Sequence, residues 1–120
     1  MSITSDLLRG STDTIILSVL EAGDSYGYAI NKAVARATDG RYEMKEATLY
    51  TAFKRLEESG SVLSYWGDDG GAGARRRYYR ITESGKKVLA VLRQDWEESK
   101  KIIDTLTKGK EDGNKDPDLH

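Results

Sequence analysis

At Gly60 the spacing of apolar residues in this chain changes from a helical period to a period of two, and after Thr82 it changes back. That double switch constrains the architecture more than any other feature: helices, then a hairpin, then one further helix. Before Gly60 three helices are predicted. Residues 6 to 21 (DLLRGSTDTIILSVLE) put Leu8, Ile15, Ile16, Val19 and Leu20 on one face, with Gly23 as a natural stop. Asp24 or Ser25 is placed to cap a second helix over Tyr26 to Thr38, where Ile30, Ala33, Val34 and Ala37 recur at helical spacing before Gly40. The third, Glu46 to Ser59, buries Leu49, Phe53 and Leu56 and ends at Gly60. Its other face shows Thr48, Tyr50, Thr51, Lys54 and Arg55.

Between the switches, SVLSYW (61 to 66) reads as a strand, GDDGGAGA as a turn-rich loop and RRRYYRIT as a second strand. So much positive charge beside three glycines fits a solvated turn, a disordered linker or a hairpin that lies against something negative. Aromatic-bearing strands on both sides favour the hairpin. If Ile81 faces the core, alternation puts Tyr79, Arg77 and Arg75 on its side, and Tyr78, Arg76 and Arg80 on the other.

Thr82 then caps a long helix running to about Leu106, in which Gly85, Leu89, Leu92, Trp96, Ser99, Ile103 and Leu106 form a heptad seam. An intramolecular core helix is the structural alternative, since Val88, Val91 and Ile102 broaden the stripe. A helix trailing behind so small a domain finds too little partner surface in its own chain, so the seam is assigned to pairing between two copies. From Thr107 onward the chain is polar and expected to be disordered.

Composition excludes several function classes. The length, 120 residues, suits one domain, and 38% hydrophobic residues with 32% charged suggest a thin domain completed by a copy of itself. With no cysteine there can be no disulfide, thiolate zinc site or cysteine nucleophile, which fits a cytoplasmic protein. The single histidine is His120, and the carboxylate pairs Glu57-Glu58 and Glu97-Glu98 read as solvated helix faces. Neither a phosphate-cradling loop nor a nucleophile elbow is present. No apolar run approaches the ~20 residues that span a bilayer, and MSITSDLLRGSTD does not read as a signal peptide. No catalysis, cofactor, metal or membrane partner is expected.

Helix–helix–helix–hairpin is the order of a winged helix-turn-helix, a mainly α fold with a small β-hairpin, whose third helix enters the major groove while the hairpin lies alongside. The expected division is a DNA-binding domain over 1–82, a dimerisation helix over 83–106 and a tail over 107–120. Glycines would let the wing tip turn tightly, and Arg75, Arg76 and Arg77 would meet phosphates. A net charge of −1 is compatible with this because the positive charge is concentrated locally.

Three stretches, DSYGYAI (24 to 30), EATLYTAFKRLEESG (46 to 60) and YWGDDGGAGARRRYYRITESG (65 to 85), closely resemble the PadR family of winged-helix transcriptional regulators. The resemblance covers roughly residues 7 to 106, and the single last helix resembles the shorter PadR subfamily, in particular the multidrug-binding repressors of lactic acid bacteria. It implies a dimer that binds double-stranded DNA and represses a promoter until a small molecule or stress signal releases it. It places Thr48, Tyr50, Thr51, Lys54 and Arg55 on the recognition helix and Arg75 to Arg77 at the wing. Tyr26 and Tyr28 become phosphate-contact candidates, with local packing as the alternative for both.

Lys45 departs from the family's polar cap. It cannot cap and opposes the helix dipole, although it could contact phosphate. The same resemblance makes Trp96 a stacking platform for planar aromatic ligands in a pore between subunits. Filling the seam is the structural alternative for that ring. Leu7, Gly10, Asp13, Thr14 and Leu17 would line the pore from the first helix. Arg93 and Lys100 stand where the resembling repressors carry an aromatic and an acid, so the ligand spectrum does not carry over. A remoter reading is a winged-helix protein-interaction module whose wing grips an acidic partner.

Overall fold

The structure, a computed structural model, describes residues 8–67 and 75–108. A 3-10 turn at Arg9–Ser11 leads into α1 (Thr12–Ala22), followed by β1 (Ser25–Tyr26), α2 (Gly27–Ala37), α3 (Glu46–Glu58), β2 (Val62–Gly67), β3 (Arg76–Ile81) and α4 (Glu83–Lys108). The strands form one antiparallel sheet in the order β1-β3-β2. This mainly helical architecture with a small sheet is the expected one. Leu7, the wing-tip glycines 70, 71 and 73 and the tail from residue 109 onward lie outside the described residues.

Core residues come from every layer. Ile16, Leu17 and Leu20 of α1 meet Ile30 and Val34 of α2, Leu49, Phe53 and Leu56 of α3, and Tyr79 and Ile81 of β3. Phe53 stacks on Tyr79 with centroids 3.8 Å apart, which joins α3 to the sheet. The turn between α2 and α3 is fixed from inside. Tyr42 and Met44 are buried, and the Asn31 amide donates to the Met44 carbonyl at 2.7 Å while the Met44 N–H donates back at 2.9 Å. Both polar groups of that turn residue are thereby satisfied without a helix or strand.

Three local expectations are corrected. The single helix expected over 6–21 is interrupted by the 3-10 turn at Arg9–Ser11: Leu8 is helical, and α1 runs from Thr12, whose hydroxyl donates to the Arg9 carbonyl. Asp24 and Ser25 do not cap α2. Ser25 and Tyr26 pair with Tyr79 and Tyr78 of β3, so Tyr26 keeps extended backbone at the cap position and makes no side-chain cap bond. A two-residue strand has no period of its own, and sequence spacing cannot show one. Ala37, expected on the inner face of α2, is exposed.

The α4 start is as read, and its geometry explains the T-x-x-G spacing. The Thr82 hydroxyl accepts from the Gly85 N–H at 2.9 Å, while the Thr82 N–H donates to the Ser61 carbonyl at 3.0 Å. A Cβ on Gly85 would collide with that same carbonyl and lie 2.9 Å from the Ile81 side chain. Glycine there lets the helix sit directly on the hairpin. In consequence the first part of the seam belongs to the chain's own core. Leu89 is only 1% exposed, so its assignment to an intermolecular interface is corrected, and Leu92 is half-buried against the same core. Beyond Leu92 every residue to Lys108 is exposed, and the molecule measures 68 × 31 × 21 Å.

Candidate nucleic-acid interface

Helix α3 starts on Lys45, whose exposed side chain makes no cap bond, as its chemistry dictates; Glu46 supplies the acid that suits the dipole. With Leu49, Ala52, Phe53 and Leu56 turned inward, helical geometry aims Ala47, Thr51 and Lys54 straight outward. Thr48 and Arg55 lean to the side of α1. There, Arg9, Thr12, Ala47, Thr48, Thr51 and Arg55 surround a groove of about 350 Å³. Arg55 is held by a fork on Asp13, with Nη2 donating to Oδ1 at 2.5 Å. That hydrogen bond raises the guanidinium's pKa. Sequence reasoning missed Arg9, because its position beside α3 is set by the 3-10 turn.

Tyr50 leans the opposite way. Its ring meets Phe53 edge-on at 5.6 Å, and its hydroxyl lies where a Cβ on Gly27 would sit. Tyr50 therefore closes over the N-terminus of α2, still half-exposed, rather than pointing straight outward. Tyr28 is 67% exposed, with the Lys32 ammonium 5.6 Å from its ring centroid, so packing does not account for it.

The hairpin alternates as expected. Tyr79 and Ile81 are buried, while Tyr78 turns to the other face and meets Tyr26 and Tyr65 at centroid distances of 5.3 and 5.7 Å. Arg76 lies 4.8 Å over Tyr26, and Arg80 lies 5.4 Å over Tyr65. Asp24 ties this outer face together, accepting from Arg80 and from the Tyr65 hydroxyl. Arg80 first, then Tyr65, holds the Asp24 carboxyl below its usual value, and the same bond to Asp24 raises the Tyr65 phenol. On the α3 side, Glu57 accepts from Ser64 at 2.5 Å and pairs with Arg77 at 3.6 Å. Glu57 thus joins helix and wing. Arg75, Arg76 and Arg77 are all exposed.

The residues expected around a pore are dispersed. Leu17 is fully buried in the chain's own core and cannot line an interface, which corrects that assignment. Asp13 serves Arg55, and Arg93 pairs with Glu21 of α1 at 2.9 Å. Gly10 is exposed and Thr14 half-buried. Trp96 is 49% exposed, with Lys100 6.0 Å from its ring centroid and also paired to Glu97. Ser99, Ile103 and Leu106 are exposed on the same helix. Among the described residues no group of acidic or histidine side chains is arranged to hold a metal, and no helix is long and apolar enough to cross a membrane.

Residues 16–91 match the family model described as the transcriptional regulator PadR-like family. The fold is similar to that of a transcriptional regulator from Clostridium thermocellum, with a TM-score of 0.80, 48% identity, and coverage of 88% of this chain and 99% of that one. It is also similar to a PadR family transcription regulator from Clostridium difficile, with a TM-score of 0.67, 35% identity, and coverage of 80% and 97%. A protein of Lysinibacillus sphaericus described only as uncharacterised is 43% identical over 111 residues, covering 91% of this chain and 99% of the relative.

Proposed function

Because this chain belongs to the PadR-like family of transcriptional regulators, we propose that it is a homodimeric repressor, acting in the cytoplasm on double-stranded DNA with a pseudo-palindromic operator. The family is one of regulators, not enzymes. The observation that carries the proposal is the exposed face of α3, with Thr51 and Lys54, on a helix that Glu57 joins to Arg77 in a run of three exposed arginines, Arg75 to Arg77, at the start of β3. Thr48 and Thr51 read base edges from the helix. Arg75 to Arg77 meet phosphates, and Lys45, Lys54, Tyr26 and Tyr28 contribute further backbone contacts. Arg55, held by Asp13, flanks the helix as a fixed positive edge, and Tyr50 buttresses it.

Footprinting tests this reading. A two-fold dimer protects a pseudo-palindrome with half-site centres about 10 bp or a small multiple apart. Protection of a single asymmetric half-site would sink the dimeric form of the proposal. Binding to acidic proteins but not to salt-titrated random duplex would sink DNA binding itself.

Release of DNA by a planar small molecule stacked on Trp96 is the finer part of the proposal. A half-exposed indole on an exposed helix supports it. The competing reading, DNA binding without a ligand and with Trp96 structural, draws support from the burial of Leu17 and the engagement of Arg93 and Asp13 elsewhere.

A further inference from the structure

We propose that Trp66 is a DNA-contacting residue of the wing, laid against the deoxyribose–phosphate rail beside the two arginines that approach its ring. This rests on the DNA-binding reading above and adds to it a residue outside the recognition helix and the wing arginines. The other aromatics of the sheet are accounted for by packing: Tyr79 on Phe53 inside, and Tyr26, Tyr65 and Tyr78 on one another outside. Trp66 is 53% exposed, and cations flank its ring, with the guanidinium carbons of Arg75 and Arg77 5.6 and 5.4 Å from the centroid.

Register fixes which way the ring faces. Trp66 pairs with Arg77, two steps beyond Ser64↔Tyr79 and four beyond Val62↔Ile81, so it shares their α3-facing side. Glu57 of α3 reaches Ser64 and Arg77 on that side. The indole therefore stands beyond the body of the domain, on the side of the hairpin that looks toward the recognition helix.

The chemistry fits a duplex backbone. Arg77 is tied to Glu57 of α3, while the exposed Arg75 brings its charge beside an indole that is itself half-exposed. Arg75, just before β3, and Arg77, within it, both approach this one ring. A nucleic-acid strand alternates phosphate with apolar sugar, and cations beside an exposed ring offer each of these its complement. An acidic peptide would satisfy the charges but gives the apolar ring between them nothing in register.

Titrating labelled random-sequence duplex over a salt series tests the proposal. Trp66→Ala is expected to weaken binding about tenfold at every salt concentration with the slope of log affinity against log salt unchanged, since no charge is removed. Trp66→Phe is expected to fall between it and the parent chain, and Leu63→Ala, on the outer face, to bind as the parent does. Acrylamide quenching gives a readout on the unaltered protein, with Trp66→Phe supplying the Trp96 background: saturating DNA is expected to shield the Trp66 component. Parent-like binding by Trp66→Ala, or unshielded Trp66, would overturn the contact. A loss accompanied by a shallower slope would overturn it too, because Trp66 would then serve only to hold arginines. If the parent chain binds no duplex at low salt, the DNA-binding reading fails and this one with it.

Discussion

Gly85 shows how one atom sets the geometry on which the rest depends. Helix propensity alone favours alanine over glycine at an interior position by ~1 kcal/mol. Here the added Cβ would meet the Ser61 carbonyl, which already accepts from Thr82, so the obstacle is backbone and cannot swing aside. Gly85→Ala is therefore expected to destabilise by about 1–3 kcal/mol, the cost of an overpacked contact, and thermal unfolding checks the sign. Asp24 makes a second residue-scale test. Its carboxyl is held low by Arg80 and Tyr65, so its stabilisation is fully present above the ordinary carboxylate value and disappears as pH falls through the lower folded one. Asp24→Asn is expected to lower stability at pH 7 by less than ~1 kcal/mol, because the pair is largely solvated, and to match the parent chain once the pH has fallen below the lowered folded value of the carboxyl. A difference that persists in acid would show that the carboxylate is not the source.

At the scale of elements, the proposed function divides the labour of DNA binding between helix α3 and the hairpin. Arg76→Ala is expected to weaken operator and random duplex alike and to reduce the salt slope by about one for each phosphate it no longer neutralises. Thr51→Ala is expected to weaken the operator preferentially. Equal losses on both DNAs for both variants would show that α3 reads no sequence. These elements were legible because each carries its own period: Leu49, Phe53 and Leu56 repeat as a helix, and Tyr79 and Ile81 alternate as a strand. What escaped depended on contacts between distant segments. Ser25 and Tyr26 are a strand only because β3 passes beside them, and Leu17 is core only because the other layers close over it. Asp13 and Arg55, 42 positions apart, form a pair that no local pattern shows. The seam was legible as apolar spacing, but the spacing could not say that Leu89 would be spent inside the chain and Trp96 outside it.

At the scale of the whole molecule, the second half of α4 carries Trp96, Ile102, Ile103 and Leu106 into solvent, the last 75% exposed. Pairing two such helices removes those side chains from water, so Ile103→Glu with Leu106→Glu is expected to yield monomers by sedimentation and much weaker operator binding. A double variant that still sediments as a dimer would place the interface elsewhere. The same helix would link sensing to reading. It is rooted on the hairpin through Gly85 and Leu89, so a change in the angle between two α4 helices moves each domain as a body and changes the separation of the two α3 helices. In the proposed dimer those helices would have to match major grooves ~34 Å apart, and a shift of a few ångströms would misplace base-edge contacts. A planar compound wedged between Trp96 and its mate is thus expected to weaken operator binding by a coupling of about 1–3 kcal/mol, and operator DNA to weaken binding of that compound by the same factor. Trp96→Ala removes the stacking surface, and it is expected to abolish the response while largely sparing DNA affinity. Titrating operator with and without a panel of planar compounds, in both the parent and Trp96→Ala, decides between the two readings of this residue. An undiminished response in the variant, or no compound bound by the parent at micromolar concentration, would leave Trp96 as a packing residue of the dimer seam.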